Sequence, residues 1–517
     1  MTILRAAIIA ALSFLGTSTS AQDITLTSPD GAVEISGTLL GFDGEFYRVE
    51  TLYGELTVDG SGVNCDGPAC PSLTDFVADV TISGAAGMAD ILMPALLDGF
   101  ALRNGYTVAR DVTDTTHFTY VLKDPDTGAD QARFSFKAST TDEGFADLLA
   151  DEADIAMSLR EIREDESRRA YEAGLGNMRS KNRSRVLALN ALVPVVAPGN
   201  PVSRITAAEL ARVFTGQIDN WQALGGPDAP ITLHVPQQES GLLQAIEDRL
   251  LKPAGGKLAD TAEYHDQMAA LVSAVQRDPF AIGIATYASS GAALRIPLSG
   301  GCGFAVHATR RGIKMEDYPL TTPMFLYLPA RRLPKIARDF LTYTRGPAAQ
   351  IVIRRAGFVD QSPEEVSIAL QGERFVNAIS LAEKTVPLED LQAIVDRLGN
   401  HQRLTTTFRF RPGVSALDAQ SQSNAQQLAR SLELGTYDGR ELVFVGFSDG
   451  EGSTDANRTI ALRRAQAVRD AVLEAAEAVN RDGLNIAVEG FGEALPMACD
   501  ESAWGRQVNR RVEVWLK

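Results

Sequence analysis

Three side chains near the C-terminal end have types and spacing suited to holding a small doubly charged group. Asp449 sits in the glycine-rich turn Ser448-Asp449-Gly450-Glu451-Gly452, and Asn457 and Arg464 follow it, seven residues apart. Seven residues are two helical turns, so the amide and the guanidinium share one helix face. A carboxylate, an amide and a guanidinium around a helix entrance can hold a zwitterion. Asp449 pairs with an ammonium, Arg464 forks onto a carboxylate, and the free amides of the first turn add positive potential. The helix that carries them is predicted over 455–479. Ser453, Thr454 and Asp455 offer capping oxygens, and Ile460, Leu462, Ala465, Val468, Val472 and Ala476 recur at helical spacing.

The surrounding pattern supplies a frame for that helix. Strands are predicted over 404–410, 441–447, 485–490 and 511–516, with a further helix over 419–434, giving an α+β sandwich of order βαβαββ. Residues 404–517 resemble the OmpA-like peptidoglycan-binding domain. The likeness rests on Ser448 to Gly452, Asn457, Leu462-Arg463-Arg464-Ala465, Gly490-Phe491-Gly492-Glu493, Pro496, Gly505-Arg506 and Asn509-Arg510-Arg511-Val512-Glu513. The resemblance implies that Asp449 and Arg464 hold the zwitterionic end of diaminopimelate in the stem peptide, with Asn457 and Arg510 supporting the pocket. It also implies non-covalent attachment to peptidoglycan in the periplasm, in association with the outer membrane. Two positions depart from the family: Ser448 replaces the usual Thr, and Cys499 stands where Asn is common.

Residues 75–360 alternate short apolar runs with helical ones. A strand at 80–82 precedes a helix over 86–104, a helix near 143–151 precedes Ala153-Asp154-Ile155-Ala156-Met157, and an apolar strand region over 186–196 precedes a helix over 206–214. This pattern predicts an α/β domain, and its length suits two lobes. The run Val186 to Val193, Asn200-Pro201, Leu210, and Phe214-Thr215-Gly216-Gln217-Ile218-Asp219-Asn220-Trp221 resemble the periplasmic phosphate-binding proteins of ABC importers, a type II solute-binding fold. So do Gly105-Tyr106 and Asp278 to Gly283.

Such a fold binds anions at helix N-termini facing the cleft between lobes. Three loops are candidates: one with Ser83 and Gly84, one with Ser158 and Arg160, and one with Ser240 and Gly241. Arg160 is the charged partner among them. The phosphate-binding relatives usually carry hydroxyls where this chain has Ala85 and Gly87, Ser-Gly-Thr where it has Ser240-Gly241-Leu242, and an Arg where it has Pro236, while Glu239 adds a carboxylate. Two functions therefore stay open. One is a peptidoglycan-tethered solute-binding protein for phosphate or another small oxyanion. The other is a non-catalytic structural or adhesive envelope protein whose binding domain has lost its small ligand and recognises a protein partner.

The remaining segments set the compartment. Arg5, the apolar stretch Ala6 to Leu15 and the small residues Thr17 to Ala21 read as a signal peptide over 1–21. Residues 22–73 alternate in period two between Asp-Gly turns, which predicts a small all-β module, SH3-like, with a Cys65–Cys70 disulfide across Asp66-Gly67-Pro68-Ala69. Cys302 and Cys499 either bridge two domains or stay as small buried side chains. Residues 361–403 read as a connector with helices over 363–370 and 388–398. The formal net charge of −17 disfavours nucleic acid as a partner. The five histidines His117, His234, His265, His307 and His401 show no metal-ligand spacing, and no nucleophile elbow or phosphate loop is present, so neither an enzyme nor a cofactor is expected.

Overall fold

Period-two alternation in the first segment folds as expected. The computed structural model describes residues 23–72, 76–299, 305–380, 388–411, 414, 416–478, 483–498, 500 and 503–517. The signal segment, Cys302 and Cys499 lie outside these. The chain divides into two bodies: one runs up to Ala78 and includes Arg332–Ala337, and the other comprises Asp79–Arg331 with Arg338–Lys517.

In the first body, five strands order as Gly54–Asp59, Phe46–Thr51, Glu34–Phe42, Ile24–Thr27 and Asn64–Asp66. Ile24, Leu26, Tyr47 and Val49 form its buried core. Such a core is small, and two further ties support it. Cys65 and Cys70 are disulfide-bonded, with Cα atoms 5.8 Å apart. Arg332 pairs with Asp43 at 2.6 Å and Glu45 at 2.9 Å, and its guanidinium lies 4.1 Å from the centre of the Phe46 ring.

The second body holds two large sheets and a small three-stranded one of Ile205–Thr206, Leu298–Ser299 and Ala305–Val306. The larger runs in the order Glu263–His265, Thr232–Pro236, Ala281–Thr286, Ser184–Val196, Thr321–Tyr327, Ile155–Ser158, Ala78–Ala85, Asp130–Ser139, His117–Lys123 and Thr107–Val112. Ser184–Val196 is thirteen residues long and pairs with Thr321–Tyr327 along one part and with Ala281–Thr286 along the other. It thereby joins two lobes. Its continuous apolar stretch from Val186 to Val196, broken only by Asn190, reflects burial on both faces.

The smaller of the two large sheets orders as Glu365–Ser367, Gln402–Arg409, Arg511–Leu516, Glu441–Phe447 and Asn485–Gly490. One face packs Leu404, Phe408, Leu442, Phe444, Val512 and Val514 against the helices Ala419–Glu433 and Thr454–Ala475. The opposite face packs Val443, Val445, Phe447 and Trp515 against Leu391, Ile394 and Leu398. The segment read as a connector is therefore structural cover for the second face. Its expected helix over 363–370 is instead an edge strand, Glu365–Ser367, and a short 3₁₀ turn before the helix Gly372–Ser380. Leu388–Leu398 is helical as expected, and a helix at Ala503–Asn509, not foreseen, precedes the last strand. Among the described residues no helix is long and apolar enough to cross a membrane.

The two folds of this body meet through buried charge. Arg403, fully buried, reaches Asp317 at 2.7 and 3.0 Å, and Arg409 donates to the Glu316 carbonyl at 2.7 Å. Glu161 accepts from the Ala419 amide at 2.5 Å. Burial and then the Asp418 carboxylate push Glu316 up to about 8, and Glu161 is raised by the same two causes. A carboxyl raised in the folded state is protonated there while its unfolded counterpart ionises. Its contribution is thus complete below the unfolded value and is lost as pH climbs through the folded one. Wild type should lose stability relative to Glu316→Gln between pH 4.5 and about 8, with the gap constant above that range. Thermal unfolding of both proteins across that range measures it; parallel curves would remove the buried carboxyl as the cause.

Candidate functional site

The helix Thr454–Ala475 lies against the sheet because two glycines let it. A Cβ on Gly446 would stand 2.0 Å from the Ala461 carbonyl oxygen, and one on Gly490 would stand 2.5 Å from the Leu462 nitrogen. That approach sets the middle of the helix, and with it Arg464, over the strand end from which the Asp449 turn departs. The Ser453 hydroxyl caps the helix by accepting from the Ala456 amide at 3.3 Å.

Asp449 is 8% exposed, and one of its oxygens accepts from Arg510 at 2.7 Å. Arg464 lies within the field of both: burial pushes its guanidinium down, Asp449 pulls it up and Arg510 pushes it down again. Its guanidinium carbon is 5.6 Å from the centre of the Phe410 ring, and its Nη1 is buried with no hydrogen-bond partner. The Ser448 hydroxyl is also buried without a partner. Asn457, 1% exposed, donates to Glu493 at 2.9 Å and so braces the loop opposite the helix entrance. Asp449, Arg464 and Arg510 thus converge, with Asn457 one shell out. Glu493 was not singled out from sequence, although it lies within the motif Gly490 to Glu493.

The hydroxyls of the three loops read as oxyanion candidates have partners within the protein. The Ser83 hydroxyl donates to Asp147 at 2.5 Å, the Ser158 hydroxyl donates to the Arg160 carbonyl at 2.6 Å, and the Ser240 hydroxyl caps its helix by accepting from the Leu243 amide at 3.2 Å. Gly84 and Gly241 serve close backbone packing. A Cβ on Gly84 would meet the Met157 carbonyl at 2.2 Å, and one on Gly241 would stand 3.2 Å from the Ser139 carbonyl and 3.5 Å from the Ala85 Cα. Arg160 is not a free cation. It pairs with Glu166 at 2.7 Å, with Asp142, and with Asp248 at 3.5 Å. These carboxylates, Asp142 in the first turn of the helix Thr141–Leu149 among them, neutralise Arg160 internally.

Positive charge gathers elsewhere. A cavity of about 1030 Å³ between the two folds is lined by Arg179, Lys181, Arg185, Arg345 and Arg430. Burial and then neighbouring Arg345 push Arg185 down to about 10, and burial and then Arg430 push Arg345 down. Arg185 and Arg345 donate to neutral oxygens, the Leu341 carbonyl at 2.8 Å and the Gln426 amide at 2.7 Å. Among the described residues no carboxylate pairs with Arg185, Arg345 or Arg430. Lys181 is paired with Glu474 at 2.7 Å, and Glu433 and Glu477 also line the cavity. These arginines come from three segments far apart in sequence, around 179–185, 345 and 430, so no motif announces them. His234 and His265, without metal-ligand spacing in the sequence, meet at 2.9 Å across neighbouring strands.

A family profile described as a PBP superfamily domain matches residues 77–346, and the OmpA family profile matches residues 409–510. Protein SphX of Synechococcus elongatus is 27% identical over 245 residues, 45% of this chain and 70% of that protein. The phosphate-binding protein PstS of Borreliella burgdorferi is 33% identical over 97 residues, 19% of this chain and 31% of that protein. Among solved structures, an ABC-type phosphate transport receptor from Vibrio cholerae matches at 21% identity and TM-score 0.42, covering 54% of this chain and 99% of that one. The peptidoglycan-associated lipoprotein of Burkholderia pseudomallei matches at 22% identity and TM-score 0.19, covering 22% of this chain and 90% of that one. The chain belongs to the PBP superfamily, with an α/β two-lobed binding domain followed by an OmpA-family domain, and it is a binding protein rather than an enzyme.

Proposed function

We propose that this protein is a peptidoglycan-tethered solute-binding protein of the periplasm. Its C-terminal domain grips the diaminopimelate of the stem peptide, and its two-lobed domain takes up a small oxyanion. The observation that carries the tether is the unsatisfied Arg464 Nη1 beside Asp449. A buried guanidinium nitrogen without an acceptor is costly, and a ligand carboxylate supplies the acceptor while Asp449 receives the ammonium.

For the solute, the PstS relative is a phosphate-binding protein, yet in this chain Ser83 and Ser158 donate their hydroxyls internally, to Asp147 and to the Arg160 carbonyl. The unopposed cluster of Arg185, Arg345 and Arg430 is the better place for an anion in a chain of net charge −17. Calorimetry with inorganic phosphate on wild type, Arg345→Gln and Ser240→Ala separates the readings. Heat lost in Arg345→Gln places the anion in the cavity, and heat lost in Ser240→Ala returns it to the cleft. Silence in wild type at millimolar phosphate favours the second reading, a domain that recognises a protein partner, for which the closed packing of Gly241 on Ala85 speaks.

A further inference from the structure

His234, Glu263 and His265 occupy two neighbouring parallel strands, Thr232–Pro236 and the edge strand Glu263–His265. Their register sets His234 opposite Glu263 and Pro236 opposite His265. Side chains alternate along a strand, so Glu263 and His265 project to one face, Tyr264 to the other, and the register brings His234 to that same face. The consequence is a convergence that no sequence spacing encodes. His234 Nδ1 lies 2.9 Å from His265 Nε2 and 3.5 Å from a Glu263 carboxylate oxygen, and one ligand atom from each residue falls within 4.8 Å of the others.

We propose that these three residues form a binding site for a divalent transition-metal ion of the zinc class. Two imidazoles and one carboxylate are the donor set such ions take, and three protein ligands leave a coordination position for water. The spacing is close to what is needed. Two ligand nitrogens on a tetrahedral ion with bonds of about 2.0–2.1 Å stand roughly 3.3 Å apart, so the imidazoles need to part by only a few tenths of an ångström.

The surroundings favour a metal over a proton. His234 is 4% exposed, and its Nε2 is buried with no hydrogen-bond partner. His234 Nδ1 and His265 Nε2 face one another at 2.9 Å, the donor between them set by the tautomer. Burial lowers the His234 pKa, with His265 acting in the same direction and Glu263 and Asp278 opposing. Entry is open from solvent: the Glu263 side chain is 60% exposed, and His265 is half-buried at the sheet edge. No ligand comes from the peptidoglycan site or from the arginine cavity, so this site stands independently of the proposed function.

The test is a zinc titration of the full-length protein, purified without a histidine tag and stripped with chelator, against a chromophoric competitor. Wild type is expected to bind one ion per chain, with affinity falling in acid as protons compete with the metal for its ligands. His265→Ala, a substitution at the edge strand, should weaken binding by roughly a hundredfold or more because one of three bonds is lost. Glu263→Gln should weaken it less, and His117→Ala should leave it unchanged. Far-UV circular dichroism checks that His265→Ala is folded. Absence of binding to wild type, or unchanged affinity in both His265→Ala and Glu263→Gln, would overturn the site.

Discussion

Asp449→Ala and Arg464→Ala should each abolish co-sedimentation of the full-length protein with purified peptidoglycan. Each removes one charged half of the recognition, and a desolvated charge-assisted contact is worth about 2–5 kcal/mol, or roughly thirty- to several-thousand-fold in affinity. The two variants should differ in their effect on the fold. Arg464→Ala deletes a buried guanidinium whose Nη1 has no partner, so its thermal unfolding should match wild type or exceed it. Asp449→Ala leaves Arg510 and Arg464 facing one another without their shared carboxylate and should be modestly less stable. Arg510→Ala removes a support for Asp449 and should weaken sedimentation without eliminating it. Full sedimentation of both Asp449→Ala and Arg464→Ala would sink the tether.

Replacing Glu513 should produce the largest loss of stability in the C-terminal domain. This side chain is fully buried and accepts from Arg374 at 2.6 Å, Arg511 at 2.8 Å and Trp515 at 3.2 Å, with Arg403 at 3.3 Å. Burial alone would raise its pKa, but Arg374, Arg403 and Arg511 together hold the carboxyl far below the usual range. Glu513→Ala leaves Arg374 and Arg511 buried without their carboxylate, while Arg403 keeps Asp317, and breaking one side of a buried ion pair costs about 3–5 kcal/mol. For a domain of this size that is roughly 10 °C or more of melting temperature. Glu513→Gln keeps the shape and loses the charge, so it should fall between. The contribution also has a pH sign: a depressed folded pKa gives stability that is present above the unfolded value and lost as acid protonates the folded carboxylate. Melting curves for both variants within a few degrees of wild type would show that the arginines find other partners.

How much could be read beforehand depends on whether the signal is local. The strands Glu441–Phe447 and Asn485–Gly490 and the helix Leu388–Leu398 appear at their expected bounds because periodicity is a property of consecutive residues. Asp449 and Arg464 were legible for the same reason, since a loop and the helix after it are neighbours in sequence. Arg403 and Arg511 were not, because a charged residue in a strand reads as solvent-facing until its partner on another element is known. The helical expectation at 363–370 failed because edge pairing to Gln402–Arg409 overrides a weak local preference. Ser83, Ser158 and Ser240 show a different limit. Their placement at strand and helix ends was sound, but which acceptor each hydroxyl meets is decided by Asp147, the Arg160 carbonyl and a helix cap.

Arg403 has a mechanical consequence. It lies in an inner strand of the sheet that the OmpA-family helices cover, while its guanidinium ends on Asp317 of the neighbouring fold. Tension applied at the Asp449 turn therefore travels through hydrogen-bonded strands into a short, desolvated ion pair rather than into a slack tether. In the proposed tether, the two-lobed domain would therefore move with the C-terminal domain as one compact body rather than swing on a slack linker.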